Sequence, residues 1–588
     1  MAVTSAQQSW AALMGSGGAQ DRESGAAGPA DLPPPSGVRA VAGREQVTIS
    51  WDPVPGAIGY VVHRCPSADG PFEVADFGGG DVLAVPHGPF ADTTDARGGF
   101  YAVAALATVT SIGALSDPVA VVPGEPDAVV SVRVGTTTSP LDRIWRAMVG
   151  SEHLSHLLSP DLTGGRPIGT ELRDALARAH QELGIDTVRA HGILSDDLAT
   201  VDAVYDQILA LGYRPVVELG FMPADLARDP SRTVFEYRGI ISPPADYDAW
   251  AGRVRSFVRH LADRYGLDEV RHWMFEVWNE ANLSVFWSGT PAEFWRLYDV
   301  TARAVKEVDQ DLIVGGPASA AVGWIEEQAG REAPVDFLST HVYGTPPLDL
   351  RPLAGGRPLL WTEWGITARH GHPINDSVFA AAFLLRGMRS AAGRVEALAP
   401  WVVSDHFEEL GRPQRFLHGG FGLLTVGNLA KPKYWALRLL ERLGSMELPV
   451  SLTGDGAGSL VEAWAGTSGE ARTVLVWNGT LDQSKRDGAA GLDRLVTVEV
   501  AGLDPSAGQE VRIWRVDGLH GNIAARWAAI GGGADWPDDE QLLALSAEDH
   551  LDEAEPARTV TAGPDGTVTV ELDLPMPGIA LIVVQPTG

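Results

Sequence analysis

Between Leu141 and about Leu443, short apolar runs alternate with amphipathic helical patterns, and the alternation recurs through eight strand candidates. The runs are Ala147 to Gly150, Thr187 to Gly192, Pro215 to Gly220, the stretch from His272 to Asn282, Leu312 to Gly315, Val335 to His341, Pro358 to Glu363 and Ala397 to Val403. Helical patterns fall between them: Leu172 to Leu183, stopped by Gly184; Val201 to Leu211, stopped by Gly212; Tyr247 to Tyr265; and Pro291 to Val308. Glycine just past the last periodic residue is the usual helix stop. Strand, loop and helix repeated in this way build a parallel sheet buried on both faces. Eight repeats over roughly 300 residues predict a (β/α)8 TIM barrel, an α/β fold.

The fourth run, His272-Trp273-Met274-Phe275-Glu276-Val277-Trp278-Asn279-Glu280, ends in polar groups. Barrels place their chemistry at the carboxyl ends of their strands. Glu280 is therefore a candidate catalytic carboxylate, and the search for a second leads to the seventh run, Leu359-Leu360-Trp361-Thr362-Glu363, which closes on Glu363. Strands four and seven face each other across the mouth. One carboxylic acid to protonate a leaving oxygen, with one carboxylate on the other side of the anomeric carbon, is what glycoside hydrolysis requires. Glu276 lies inside the fourth run and reads instead as an interior residue held by a basic partner, with Arg189 as the candidate.

The remaining sequence sets limits on this reading. With 588 residues the chain is long enough for roughly three or four domains. A net charge of −31, from 45 basic and 76 acidic residues, argues against nucleic acid or an anionic membrane and leaves a neutral substrate. Cys65 is the single cysteine, so an intrachain disulfide and a thiolate metal cluster are excluded. Without a recognisable export signal or long apolar span, the expected location is the cytoplasm. Residues 1–36 are rich in Gly, Ala, Ser and Pro and read as a flexible tail. Residues 37–123 carry short alternating strands, and the order of Trp51, Tyr60 and Tyr101 on them resembles a fibronectin type III module. A strand in 124–140 is expected to join a C-terminal β-sandwich over 444–588, with the barrel at 141–443 between them. The acidic segment Asp535 to Glu555 reads as a solvated loop. His153 and His156 have helical spacing but no evident third ligand, and neither a metal nor an organic cofactor is implied.

Trp278-Asn279-Glu280-Ala281-Asn282 resembles the Trp-Asn-Glu-Pro-Asn motif of glycoside hydrolase family 39, the β-xylosidase and α-L-iduronidase family. The resemblance extends to Leu183 to Asp197, Val217 to Pro223, Ser404-Asp405-His406-Phe407-Glu408-Glu409 and Phe416 to Leu424, in the family's order. It implies a retaining exo-glycosidase with Glu280 as acid/base and Glu363 as nucleophile. By the same resemblance, His191, Asn279, Phe286, His341, Tyr343, Trp401 and Glu409 line the first sugar subsite, with Arg189 behind them. The implied partner is an oligosaccharide or glycoside, β-D-xyloside first, with an arabinofuranoside, a β-glucoside or another pyranoside as the alternative. A non-catalytic carbohydrate-binding protein is the rival class, and a homo-oligomer is compatible with the sequence. Ala281 stands where the family has Pro, so the turn after Glu280 is expected to be looser or reshaped.

Overall fold

The computed structural model describes residues 32–195 and 197–587, so most of the expected tail over 1–36 lies outside the described residues. Eight parallel strands follow one another in chain order: Val149–Gly150, Thr187–Ala190, Arg214–Leu219, Met274–Val277, Ile313–Ala320, Phe337–Tyr343, Leu359–Gly365 and Ala397–Pro400. The ends of this order meet where the Val403 N–H donates to Gly150 O at 2.9 Å. The barrel follows from the alternation of apolar runs and helices, since strands buried on both faces need helices outside. Tyr247–Tyr265 and Pro291–Val308 span the residues their patterns predict. Their starts are chemically marked. Asp246 accepts from the Asp248 and Ala249 N–H groups, and Thr290 with Glu293 forms a capping box ahead of Pro291. After the fifth and sixth strands the helices shrink to Ile325–Ala329 and Arg351–Ala354, which leaves that side of the barrel open to a neighbour.

After the barrel the chain forms two sheets around a separate core. Val129–Val134 lies in the four-stranded sheet between Val450–Gly454 and Arg494–Val500, and the companion sheet has seven strands. Val130, Val132 and Val134 are buried with Val496, Val498 and Val500, the period-two pattern of strands with one apolar face. The acidic segment is not a continuous loop. Asp539–Ala547 is a helix capped by Asp538 and Gln541, and Asp549 pairs with Arg178 at 2.6 Å, tying the segment to the barrel wall.

The N-terminal unit is all-β, as its alternation predicts. Val119–Pro123 pairs in parallel with Arg39–Gly43 and antiparallel with Phe100–Thr108, so the strands join into one hydrogen-bonded path. A distinct two-sheet fibronectin type III sandwich is therefore not identified. Its buried residues, among them Ile58, Phe77 and Val82, belong to the same apolar core as the barrel's. The unit packs beside the short sixth helix, where the Asp349 N–H donates to Ile58 O at 2.8 Å.

Asp455 joins the N-terminal unit to the C-terminal sheets. It accepts from Arg44 N–H at 3.0 Å, Gln46 Nε2 at 2.9 Å and Ala128 N–H at 3.3 Å, and it stands 3.5 Å from the Arg494 guanidinium, both side chains buried. Removing one partner of a buried ion pair strands the other charge. Asp455→Ala should cost about 3 kcal/mol or more, read as a lower Tm together with faster proteolysis of the N-terminal unit.

Candidate active site

Arg189, on the second strand, points into the barrel with no exposed side-chain surface. Its Nε donates to Glu276 Oε2 at 2.9 Å, and its Nη2 to Glu218 Oε2 and to Asn279 Oδ1, each at 2.9 Å. Its Nη1 donates to Glu363 Oε1. Burial opposes the guanidinium charge, but the three carboxylates outweigh it and keep Arg189 protonated. Glu276 is thus an interior residue paired with Arg189, as its place within the fourth strand suggests. Arg189 itself reaches Glu363 directly, closer to the reacting groups than the sequence indicates.

Glu280 and Glu363 meet across the mouth. One oxygen of each, together with a nitrogen of His341, lies within 4.8 Å of the others. Oxygens this close suit the near pair of carboxyls in a retaining glycosidase better than the wide pair, ~6.5–9.5 Å apart, that leaves room for a water in an inverting one. Two carboxylates and an imidazole also make a donor set that suits a metal ion. Here, however, both imidazole nitrogens and both oxygens of Glu363 already have hydrogen-bond partners. Tyr343 OH donates to Glu363 Oε2 at 2.7 Å.

The two carboxyls have unlike surroundings. Burial, then the charge of Glu363, then that of Asp81 push Glu280 well above the usual carboxylate range. Its hydrogen bond shows where the proton sits. Thr362 Oγ1 donates to Glu276 Oε1 at 2.8 Å, so its oxygen can accept from His341 Nε2, 3.1 Å away. Burial lowers the pKa of His341 well below its ordinary value, so the ring is neutral and its Nδ1 is an acceptor. The 2.9 Å contact between Nδ1 and Glu280 Oε1 is then a bond donated by protonated Glu280. The tautomer is assigned from this network. Since both ring nitrogens are taken and no part of the ring is exposed, His341 positions Glu280 and leaves no nitrogen for a sugar.

On the opposite wall, His191 Nδ1 donates to Glu218 Oε2 at 2.7 Å, and its Nε2 stands 3.3 Å from Glu409 and 3.6 Å from Glu363. Burial would discharge the ring, yet Glu218 beside it raises its pKa well above 6.5 and keeps it cationic. Burial pushes Glu409 up to about 7, opposed by its bond to His191. The Trp401 ring lies 5.0 Å from the ring of His191 and 5.5 Å from the Arg189 guanidinium carbon, forming an apolar floor. Phe286 sits further out, 5.4 Å from Phe235, which in turn lies 5.9 Å from His191. His156 Nε2 contacts Glu408 at 2.7 Å, and His153 Nδ1 contacts Ser155.

Several groups here carried no assignment from sequence: Glu218, Thr362, Phe235 and Asp81. Glu218 closes the third strand as Glu280 and Glu363 close theirs, so the strand-end rule could have found it. Phe235 and Asp81 sit in segments with no comparable signal. Backbone strain marks the same place: Trp278 has φ 69°, Glu280 φ 44° and Phe235 φ 64°, left-handed values that bulky residues seldom adopt away from functional sites. The turn after Glu280 is held without proline. Asn282 Oδ1 accepts from Ala320 N–H and its Nδ2 donates to Ala320 O, both at 2.9 Å, so a side-chain clamp does what a fixed φ at Ala281 would.

Thr362→Val should break the polarity of the network. His341 is then free to place its proton on Nδ1 and donate to Glu280, which favours the ionised carboxylate, so the Glu280 pKa should fall. Carbon-13 NMR titration of Glu280 reads the shift, and a pKa that stays in place refutes the assigned direction.

Residues 128–351 and 348–563 match the family described as Glycosyl hydrolases family 39. A beta-xylosidase of Caldicellulosiruptor saccharolyticus is 30% identical over 450 residues, covering 68% of this chain and 88% of the relative. One from Geobacillus stearothermophilus is 34% identical over 355 residues, covering 51% and 68%. Among solved structures, the family 39 enzyme of Xanthomonas axonopodis pv. citri superposes with a TM-score of 0.67 at 26% identity, over 78% of this chain and 97% of its own. A monomeric beta-xylosidase of Caulobacter crescentus gives 0.65 at 27%, over 78% and 100%. With a match over most of its length and two close carboxylates in opposite environments, this chain belongs to glycosyl hydrolase family 39 and is a retaining glycosidase.

Proposed function

We propose that Glu280 is the acid/base and Glu363 the nucleophile of an exo-acting double displacement, and that the sugar released is β-D-xylose. The observation that carries the assignment is the contrast between the two carboxyls. Glu280 holds a proton under the combined pressure of burial and the Glu363 charge, while Glu363 accepts from Arg189 and Tyr343. In the first step Glu363 attacks the anomeric carbon as Glu280 gives its proton to the leaving oxygen, and a glycosyl ester forms on Glu363. Esterification removes the Glu363 charge, so the Glu280 pKa drops and the carboxylate can take a proton from the attacking water. His341 keeps Glu280 in place through both steps.

Asn279 gives its Oδ1 to Arg189, which orients its amide nitrogen for a sugar hydroxyl. His191, Glu409 and Tyr343 supply further polar contacts around the ring, with Trp401 as its floor and Phe286 at the rim. The beta-xylosidase relatives favour a xyloside; another pyranoside is the next reading, because its extra hydroxymethyl group asks only for room. The N-terminal unit, which we read as fibronectin type III-like, lies outside the family-matched residues.

Glu363→Ala should lower kcat on an aryl β-xyloside by about four orders of magnitude or more, as loss of a covalent nucleophile does. Proton NMR of the first product should show retained configuration, and an inverted anomer refutes the two-step route. The pH profile of kcat/KM should hold its activity well above the ordinary carboxylate range and then fall as Glu280 loses its proton. In Glu363→Gln, Glu280 should titrate at lower pH than in the native enzyme. An unaltered value there removes the charge coupling on which the role exchange depends.

A further inference from the structure

One carboxylate at the mouth comes from neither the barrel nor the family-matched residues. Asp81 belongs to the N-terminal unit, in the loop after Phe77, and only 8% of its surface is exposed. Its backbone N–H donates to Tyr343 O at 2.8 Å, and its Oδ2 accepts from the Tyr343 N–H at 2.9 Å. The next residue repeats the contact: Val82 N–H and O both meet Thr345 Oγ1, at 3.2 and 2.7 Å. Glycines let the two backbones approach this closely. A Cβ on Gly344, at φ +67°, would sit 2.3 Å from Gly79 O, and one on Gly80 would sit 2.7 Å from Thr345 Oγ1. The loop is thus seated on the barrel rim by design of both surfaces.

We propose that Asp81 is a substrate-contacting residue on the leaving-group side of this site, where its Oδ1 accepts a hydroxyl of the departing sugar. The inference rests on the glycosidase reading above and extends it to the leaving group. The Tyr343 backbone that holds Asp81 follows His341, which holds Glu280, by two residues on the same strand, and Asp81 is among the charges that raise the Glu280 pKa, so it lies within reach of Glu280. His191, Glu409 and Trp401 form the other wall. The group that Glu280 protonates leaves on the side where Asp81 waits.

The charge of Asp81 is costly in its place. Among the described residues it makes no ion pair, and burial pushes its carboxyl up to about 7. Holding the Tyr343 N–H does not require a carboxylate, because an asparagine carbonyl would accept the same bond without the desolvation of a charge. Oδ1 has no hydrogen-bond partner among the described residues, and a carboxylate oxygen accepts a sugar hydroxyl more strongly than an amide does.

The test compares native enzyme and Asp81→Asn on two substrates of the same terminal sugar, a nitrophenyl β-xyloside and the β-1,4-linked disaccharide. Asparagine keeps an acceptor for Tyr343, so the loop stays seated; equal Tm values check this. The kcat/KM for the disaccharide should fall roughly 10- to 100-fold, the usual effect of losing a hydrogen bond to a charged group. The fall for the nitrophenyl glycoside, whose leaving group has no sugar hydroxyl, should be several times smaller. Equal falls on both substrates, or an undiminished rate on the disaccharide, overturn the inference while leaving the glycosidase reading intact. Native enzyme that cleaves neither substrate removes the reading itself, and the inference with it.

Discussion

A guanidinium buried at the centre of the barrel holds the site together. Arg189 reaches three carboxylates and an amide contributed by the third, fourth and seventh strands and by the turn after the fourth. Three carboxylates this close in a dry interior repel one another, and isolated buried charges are expensive. Arginine suits this place because its five donors are fixed in a planar fork that can answer four acceptors at once, and it does not give up its proton. His191 adds a second positive charge between Glu218, Glu363 and Glu409.

The charge balance then gives the two mouth carboxyls different lives. Glu363 is in contact with both cations, whereas Glu280 is bonded to a neutral imidazole. Burial keeps that ring neutral, and its tautomer is set by a relay running from Arg189 through Glu276 and Thr362 to the Nε2 of His341. An ion pair inside the barrel thereby sets the direction of a hydrogen bond at its mouth. Left-handed backbone at Trp278 and Glu280 aims the carboxyl into this position, and the surrounding packing and the Asn282 clamp sustain the strain.

Much of this was legible in order along the chain. Helix starts at Tyr247 and Pro291 could be read to the residue because they carry caps and proline, chemistry that acts within a few positions. Glu280 and Glu363 were legible because each closes an apolar strand. The helix at Asp539–Ala547 was missed although Asp538 and Gln541 spell a capping box, since its apolar face is too weak to show a period. The family resemblance made His341 a sugar contact; that Thr362 would take its second nitrogen depended on a strand pairing shifted by a bulge between Thr340 and His341. Asp81 was invisible, since no local pattern separates a loop aspartate that reaches a neighbouring domain from one that meets water.

By itself the sequence determined the barrel, its two strand-end glutamates and the family, because strand burial, helix capping and motif spacing act over short stretches of chain. Tertiary structure alone decided which groups are charged. Protonation depends on burial and on partners far apart in sequence: Arg189 with Glu363, His341 with Glu280, and Asp81 with Tyr343. Only folding brings those groups within a few ångströms of each other and removes the water that would otherwise screen them.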